Sequence, residues 1–275
     1  SGDEWEQDTD TFDTWFSSGQ WPFATLQASH NDHDYEKFYP NAVMETGYDI
    51  LRAWVSRMVM LGYYVTGQKP FSDIVLHGLV NDPLGKKMSK SKGNVVNPLE
   101  VVEQYGADAV RFALVYGTAL GHDQALSYPK LDAMRKFTNK LWNMGRFIEM
   151  KKPEGSQFAV HSSLIELEKI AVHKNDKKMV EKTKRLSDEI TRLLDNYDFN
   201  HASQNLYEFA WHEFADKYIE DVKNRIDENS FLILNSLFFT LLKLLHPFMP
   251  FVTEEINKEL KLTDKMLIIS SWPKE

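Results

Sequence analysis

The segment that decides the fold reads HGLVNDPLGKKMSKSKGNVVNP over residues 77–98. An apolar run at residues 74–79 leads into it, and its bounding turn residues predict a buried strand. The segment closes with an Asn-Pro pair, which is typical of a helix start. Apolar spacing then predicts helices over 98–105 and 107–115. The order of strand, loop and helices indicates an α/β layer.

The lysine loop, defined as residues 82–94, carries four lysines within seven positions, two serines and a glycine on either side of the cluster. Backbone N–H groups and ammonium groups in a flexible loop of this kind converge readily on phosphate oxygens. Basic loops are more often simply solvated, so the composition alone leaves both interpretations open.

The chain changes character on either side of this segment. Residues 3–40 are acidic, aromatic and interrupted by prolines, which predicts an irregular lead-in, and apolar spacing predicts a helix over 46–62. Helical periodicity dominates later and predicts a bundle with helices at 129–148, 163–196, 200–225, 231–245 and 251–260. We predict two domains, 1–126 and 127–275.

The composition excludes several classes of protein. The 275 residues are 43% hydrophobic, as in globular proteins, and their net charge of -8 excludes a globally basic nucleic-acid binder while leaving local basic patches open. The absence of cysteine excludes disulfides, thiolate zinc sites and cysteine nucleophiles. We expect a cytoplasmic monomer without a protein-bound metal and without a membrane partner.

Residues 87–91, Lys-Met-Ser-Lys-Ser, match all five positions of the signature loop of the class I aminoacyl-tRNA synthetases. The strand before this loop and the helix after it resemble the same family. Residues 12–18, 46–50 and 54–58 resemble its valine-specific members, and the helical part resembles its anticodon-binding bundle. The resemblance covers nearly the whole chain.

The family resemblance implies a fold in two parts, α/β and then all-α. The first part would be the second half of a Rossmann-like nucleotide-binding fold, and the second an α-helical anticodon-binding bundle. The His-Ile-Gly-His type motif of the family's first half does not occur in the sequence. The chain is therefore expected to be part of a longer enzyme and to be inactive in isolation.

The chemistry implied by the resemblance is ATP-dependent activation of valine and transfer to valine tRNA, with Mg²⁺ accompanying ATP. Lys90 is the first and Lys87 the second candidate for the catalytic cation that stabilises the leaving pyrophosphate. The resemblance assigns ATP binding to seven further residues, which are His77, Gly78, Leu79, Val80, Met88, Ser89 and Ser91.

Two further sets of residues are implied. The valine-binding set is Trp15, Asp49, Ile50 and Trp54, although the tryptophans are equally compatible with an ordinary aromatic core. Basic residues that would contact tRNA phosphates are Lys174, Lys177, Lys178, Lys182, Arg135 and Lys136. A solvated helix face with intrahelical ion pairs is the alternative interpretation of these residues.

Two other functions stay open at this point. One is an isoleucine-specific relative, against which the residues around Trp15 and Asp49 favour valine. The other is a non-catalytic tRNA-binding module, against which the intact Lys-Met-Ser-Lys-Ser loop argues.

Overall fold

The structure is a computed structural model that describes residues 6–29, 33–154, 160–161 and 163–273. The chain forms two compact units. The first comprises residues 1–79 and 120–124, and the second comprises residues 80–119 and 125–275. Each unit has a hydrophobic cluster of its own. The domain boundary predicted between residues 126 and 127 stays a prediction.

The first unit is built on two parallel strands. Strand β1 (Asn41–Gly47) lies beside β2 (Phe71–His77), in a register that places Gly47 opposite His77. Parallel strands need a crossover connection. This connection consists of a 3-10 turn, a π-helical turn and a helix, at Tyr48–Ile50, Leu51–Val55 and Ser56–Thr66.

Two predictions for this unit are wrong in part. The lead-in predicted to be irregular contains three short helices, Thr14–Gly19, Trp21–Gln27 and His33–Phe38. The first of them is stabilised locally, because the Asp13 carboxylate accepts the backbone N–H of Trp15 at 2.8 Å. The helix predicted over 46–62 begins later, since Thr46 and Gly47 pair with β2 at the end of β1. We number these helices α1 to α3 and the crossover helix Ser56–Thr66 α4.

The second unit opens with the lysine loop. Strand β3 (Val80–Asn81) precedes the loop, and the backbone N–H of Leu126, just after strand β4 (Gln124–Ala125), donates to the Asn81 carbonyl at 2.9 Å. Helices α5 (Pro98–Tyr105) and α6 (Ala107–Val115) follow the loop at the predicted positions.

The rest of the second unit is a helical bundle. The prediction of one long helix over 163–196 is wrong in one respect. Extended backbone at Ala171 and His173 divides this range into two helices. The other bundle helices lie close to their predicted ranges. In chain order the helices are α7 (Tyr128–Met150), α8 (Leu164–Ile170), α9 (Lys174–Asp195), α10 (Phe199–Glu208) with a π-helical continuation at Phe209–Ile219, α11 (Glu220–Val222), α12 (Glu228–Leu245) and α13 (Pro250–Leu260).

Helix α12 is the core helix of the bundle. It is long and apolar enough to cross a membrane, but 83% of it is buried inside the protein, as in the core helix of a globular domain. The Phe238 side chain of α12 is fully buried and stacks on the ring of Phe214, with ring centroids 6.0 Å apart.

Helix α6, which follows the lysine loop closely in the chain, is bonded to the start of α13. The buried carboxylate of Asp108 accepts backbone N–H groups from Phe251 at 3.2 Å and Val252 at 2.5 Å. Burial raises the pKa of Asp108, and these two hydrogen bonds oppose the rise. The Arg111 guanidinium donates to two carbonyls of the preceding turn, those of Pro247 and Phe248.

Candidate active site

The lysine loop is organised around the carboxylate of Asp82, which is only 6% exposed. Its Oδ2 accepts a hydrogen bond from Asn94 Nδ2 at 2.8 Å. Its Oδ1 accepts the backbone N–H groups of Lys86 at 2.8 Å and Leu84 at 3.0 Å. The bond from Asn94 and these backbone bonds lower the pKa of Asp82, so the carboxylate is ionised at neutral pH.

The side chain of Asn94 ties the two ends of the loop together. Its Nδ2 also lies 3.3 Å from the Lys87 carbonyl, and its Oδ1 accepts the backbone N–H of Ser89 at 3.0 Å. Lys87 in turn forms an antiparallel bridge with Asn81. The path of the signature residues is therefore set by two side chains, those of Asp82 and Asn94, that lie outside the signature.

The predicted catalytic and ATP-binding side chains of the second unit sit on this scaffold. Met88 is half-buried, and its sulfur accepts the backbone N–H of Val96 at 3.4 Å. The hydroxyls of Ser89 and Ser91 lie 3.3 Å apart. Lys90 is exposed, and no carboxylate in the described ranges pairs with its ammonium. Its charge is consequently available to an incoming anion. Two more predicted residues, exposed Lys87 and half-buried Val80, lie in the loop and in β3.

The other predicted ATP-binding residues lie at the end of β2 in the first unit. The ring of His77 has two neighbours, the Gly78 carbonyl at 2.7 Å from Nδ1 and Glu45 Oε1 at 3.2 Å from Nε2. The backbone N–H of Leu79 donates to Asp123 Oδ1 at 2.7 Å. The end of this strand is thus fixed by a carboxylate that lies 44 residues further along the chain.

Asp123 Oδ2 also accepts a hydrogen bond from the phenol O–H of Tyr48 at 3.2 Å. This hydrogen bond raises the pKa of Tyr48, because it is lost when the phenol ionises beside a carboxylate. Asp123 therefore connects the end of β2 to the turn that follows β1.

Two glycines permit the close packing at this end of the sheet. A Cβ on Gly78 would lie 1.9 Å from the His122 carbonyl oxygen, which is a severe steric clash. Only glycine, which has no Cβ, fits at this position. A Cβ on Gly47 would lie 2.8 Å from Asp49 Oδ1 and 3.5 Å from His77 Cε1. One predicted valine-binding residue and one predicted ATP-binding residue therefore lie near the same glycine.

The remaining valine-binding candidates are half-buried and lie on neighbouring elements of the first unit. The indole N–H of Trp54 donates to the Ser18 carbonyl in α1 at 3.1 Å. The Arg57 guanidinium lies 5.3 Å from the centre of the Trp15 ring. Ile50 lies in the turn beside Asp49. Because the Trp54 N–H is already bonded, that tryptophan offers a ligand mainly its apolar ring.

The residues predicted to bind tRNA divide into two groups. Lys174, Lys177 and Lys178 are exposed at the start of α9, on one face of the helix, and no carboxylate in the described residues pairs with them. The other three already have carboxylate partners. These pairs are Lys182 with Glu213, and Arg135 and Lys136 with Asp132.

Several residues that shape the site escaped the sequence analysis. Asp82 precedes a proline within a turn that ends at Gly85, which is typical of an Asx turn and is a signal that could have been used. Asp123 and Gly47 offer no local signal, because their importance depends on neighbours that only the fold brings close.

Comparisons with known proteins identify the families that the chain resembles. Residues 1–127 match the family described as tRNA synthetases class I (I, L, M and V), and residues 176–275 match the anticodon-binding domain of tRNA ligase. Residues 1–127 are thus identified as a class I tRNA synthetase segment, and residues 176–275 as an anticodon-binding domain. Similar curated relatives are named valine–tRNA ligase, with 41% identity in Dehalococcoides mccartyi and Thermotoga maritima and 40% in Bacillus subtilis.

These matches cover 98–99% of the chain but only about 30–31% of each relative's length. Among solved structures, Agrobacterium radiobacter LeuRS in complex with tRNA and LeuAMS aligns with a TM-score of 0.80 and 21% identity, over 98% of this chain and 33% of that one. Mycobacterium tuberculosis methionyl-tRNA synthetase with methionyl-adenylate aligns with a TM-score of 0.61 and 19% identity, over 83% and 46%. The predicted fold class is confirmed.

Proposed function

We propose that this chain is the loop-bearing second half of the catalytic domain, followed by the anticodon-binding bundle, of a valine–tRNA ligase. The observation that carries the proposal is the Lys-Met-Ser-Lys-Ser loop, held by Asp82 and Asn94 with the ammonium of Lys90 left unpaired within the described residues. The names of the curated relatives support valine as the amino acid. Because the chain spans under a third of their length, activity is proposed for the full-length protein.

In the proposed reaction the carboxylate of valine attacks the α-phosphate of ATP, and the bond to the β-phosphate bridging oxygen breaks. Pyrophosphate leaves with the electron pair. A ribose hydroxyl of the terminal adenosine of tRNA then attacks the carbonyl carbon of valyl adenylate, releases its proton and displaces AMP. Negative charge grows on the leaving pyrophosphate, so a cation positioned there stabilises the transition state more than the ground state. We assign this role to Lys90, with Lys87 as the second cation.

ATP is the proposed nucleotide substrate, and Mg²⁺ would arrive with its phosphates. Among the described residues there is no group of three His, Asp or Glu side chains placed to hold a metal ion of the protein's own. The hydroxyls of Ser89 and Ser91 can donate to phosphate oxygens, and the end of β2 at His77–Leu79 would contact the adenine.

The proposed valine site uses the half-buried rings of Trp15 and Trp54 as apolar walls and the Asp49 carboxylate for the substrate ammonium. A pocket wall that excludes one methylene discriminates by about 1–3 kcal/mol. That range is enough to prefer valine to isoleucine by about tenfold or more.

The bundle is proposed to bind valine tRNA through Lys174, Lys177 and Lys178 at the start of α9, which pair with no carboxylate in the described part of the chain. Phosphate contacts of this kind position an RNA without specifying its sequence. The protein is further proposed to act as a cytoplasmic monomer.

The direct test is valine-dependent exchange of labelled pyrophosphate into ATP by the full-length protein, with isoleucine as the comparison substrate. Exchange with valine is expected, and the isolated 275-residue chain is expected to be inactive. A preference for isoleucine would support the isoleucine-specific alternative. Binding of tRNA without exchange by the full-length protein would support the non-catalytic module.

A further inference from the structure

An open pocket of about 410 Å³ lies in the second unit, beside the junction of α12 and α13. Small-molecule pockets are usually of this size, mostly apolar, with a few polar groups that set orientation. Three residues of this pocket are basic, Arg111, Lys243 and His246, and none of the described residues that line it is an aspartate or a glutamate. An apolar pocket with several basic groups and no acid favours an anionic ligand.

Lys243 is the most informative of the three. It is only 6% exposed, and its ammonium has two weak neighbours, the Ser271 carbonyl at 3.4 Å and the Phe239 ring at 4.8 Å from the ring centre. No carboxylate in the part of the chain that the structure describes pairs with it. Burial lowers the pKa of Lys243 without an acidic group to oppose the shift. A buried cation in this state gains from any anion that enters.

Arg111 and His246, the other basic residues of the pocket, add hydrogen-bond donors beside Lys243 and bring little negative charge with them. The Arg111 guanidinium uses Nε and one Nη2 hydrogen for carbonyls, which leaves further N–H donors. His246 Nδ1 lies 2.8 Å from Thr253 Oγ1. Two carboxylates, those of Asp108 and Glu254, interact electrostatically with His246. Both already accept hydrogen bonds from backbone N–H groups: Asp108 from Phe251 and Val252, and Glu254 from Leu267.

Two aromatic rings, those of Phe251 and Trp272, line the pocket together with prolines, serines and aliphatic side chains. Phe251 is 63% exposed, and Trp272 is half-buried with its N–H donating to Thr191 at 2.8 Å. The polar edge of Trp272 is therefore engaged, so a ligand would meet mainly the ring. Aromatic faces of this kind stack on nucleobases regardless of their identity. A ligand that combines an anionic group with a flat ring matches both parts of the pocket.

We propose that this pocket binds a nucleotide, with its phosphate on Lys243 and Arg111 and its base against Phe251 and Trp272. The nucleotide is either free or one unit of an RNA strand, and the chemistry of recognition is the same for both. The inference stands on this pocket alone and does not depend on the reaction proposed above.

The test is calorimetric titration of the full-length protein with three probes: uridine monophosphate, inorganic phosphate and a short oligouridylate. Uridine probes are chosen so that a site for ATP contributes little to the signal. The variants are Lys243→Met and Lys243→Arg, with Lys258→Met as the matched control, because Lys258 is an exposed lysine of α13 that pairs with Glu255. We expect uridine monophosphate to bind at least about tenfold more weakly to Lys243→Met and normally to the other two.

Tighter binding of oligouridylate than of uridine monophosphate, with the gain lost in Lys243→Met, would identify RNA as the source, and equal binding of the two probes would identify a free nucleotide. The proposal is overturned if uridine monophosphate does not bind, if inorganic phosphate binds equally well, or if Lys243→Met binds normally. Thermal melting shows that the variant is folded, since replacing an uncompensated buried cation by an apolar side chain is expected to keep or raise the melting temperature.

Discussion

Asn94 Nδ2 lies 2.8 Å from Asp82 Oδ2, and this contact closes the loop that displays the signature lysines. The same Asn94 side chain holds the backbone of Ser89 inside the loop. The Asp82–Asn94 contact matters for the proposed catalysis, because the ammonium of Lys90 can stabilise a transition state only if the loop holds it in the right position. The lowered pKa of Asp82 means that this clamp is charged at neutral pH and weakens only in acid, as the pH falls through that lowered value.

Replacing Asn94 by alanine is expected to slow valine-dependent pyrophosphate exchange by up to about 100-fold, because a misplacement of about 1 Å costs that much. The control is Asn97→Ala, which removes the cap of α5 at its exposed start and leaves the clamp intact. Rates are measured in the full-length protein at saturating ATP and valine. Equal effects of the two substitutions would contradict a specific role for Asn94.

Replacing Lys90 by alanine is expected to lower the activation rate by about 10² to 10³-fold with little change in valine affinity, because the lost contact acts on charge in the transition state. Lys86→Ala is the matched control in the same loop, with a smaller expected effect. Single-turnover adenylate formation separates rate from affinity. Near-normal turnover of the Lys90 variant would remove it from the catalytic role.

Gly78→Ala is expected to disturb the end of β2 and abolish pyrophosphate exchange, because the new Cβ would meet the backbone carbonyl of His122. Gly47→Ala is the informative comparison, since its Cβ would meet side-chain atoms of Asp49 that can move. Exchange rates and the protease sensitivity of the full-length protein are the measurements. If Gly78→Ala behaved like wild type, the close approach to His122 would be refuted.

Replacing Lys174, Lys177 and Lys178 together by glutamine is expected to flatten the salt dependence of tRNA binding. Each phosphate contact on a duplex contributes up to about 0.9 to the slope of log affinity against log salt, so three contacts change it by up to about 2.7. Lys182→Gln is expected to change the slope less, because Glu213 already pairs with that lysine. The slope is measured with valine tRNA and a non-cognate tRNA. An unchanged slope in the triple variant would assign these lysines to a solvated face.

Glu213 is expected to make the bundle's stability depend on acidity. Lys182 and Lys217 lower its pKa from 4.5 to about 2, so its ionised form stabilises the fold above about pH 4.5. That contribution is lost as the pH falls from 4.5 towards 2. Because Lys182 and Glu213 are both partly exposed to solvent, which screens the pair, we expect Glu213→Gln to lower the melting temperature by only about 1–4 °C at neutral pH. The two melting curves should approach each other as the pH falls and coincide only below about pH 2, where Glu213 is protonated in the folded state as well. A difference that persists well below that pH would contradict this account.

Local signals in the sequence predicted the elements that stabilise themselves locally. Helices α5 and α6 have their predicted bounds because the Asn97 side chain caps the first and Gly106, with a φ of 88°, separates the two. The lysine loop was predicted for the same reason, since its residues are contiguous. The break at Ala171 was missed because periodicity continues across it.

The contacts that shape the site join residues far apart in the sequence. Asp123 fixes Leu79 from 44 positions away, and Glu213 neutralises Lys182 from 31 positions away. Counting basic residues in the sequence therefore identified the basic stretch at 174–185. It did not show which of these lysines already have a carboxylate partner, as Lys182 does. Strand β1 was missed for a similar reason, because its identity depends on pairing with β2.

The bonds from Asp108 and Arg111 to residues 247–252 bear on where the chain can be divided without loss of solubility. A fragment that stops after residue 126 would leave the Asp108 carboxylate without the two N–H groups it accepts. A fragment that starts at residue 127 would lack the carboxylate and the guanidinium that hold the turn before α13. Truncations at the predicted domain boundary are thus expected to yield less soluble fragments than a piece that begins ahead of β3 and keeps both partners.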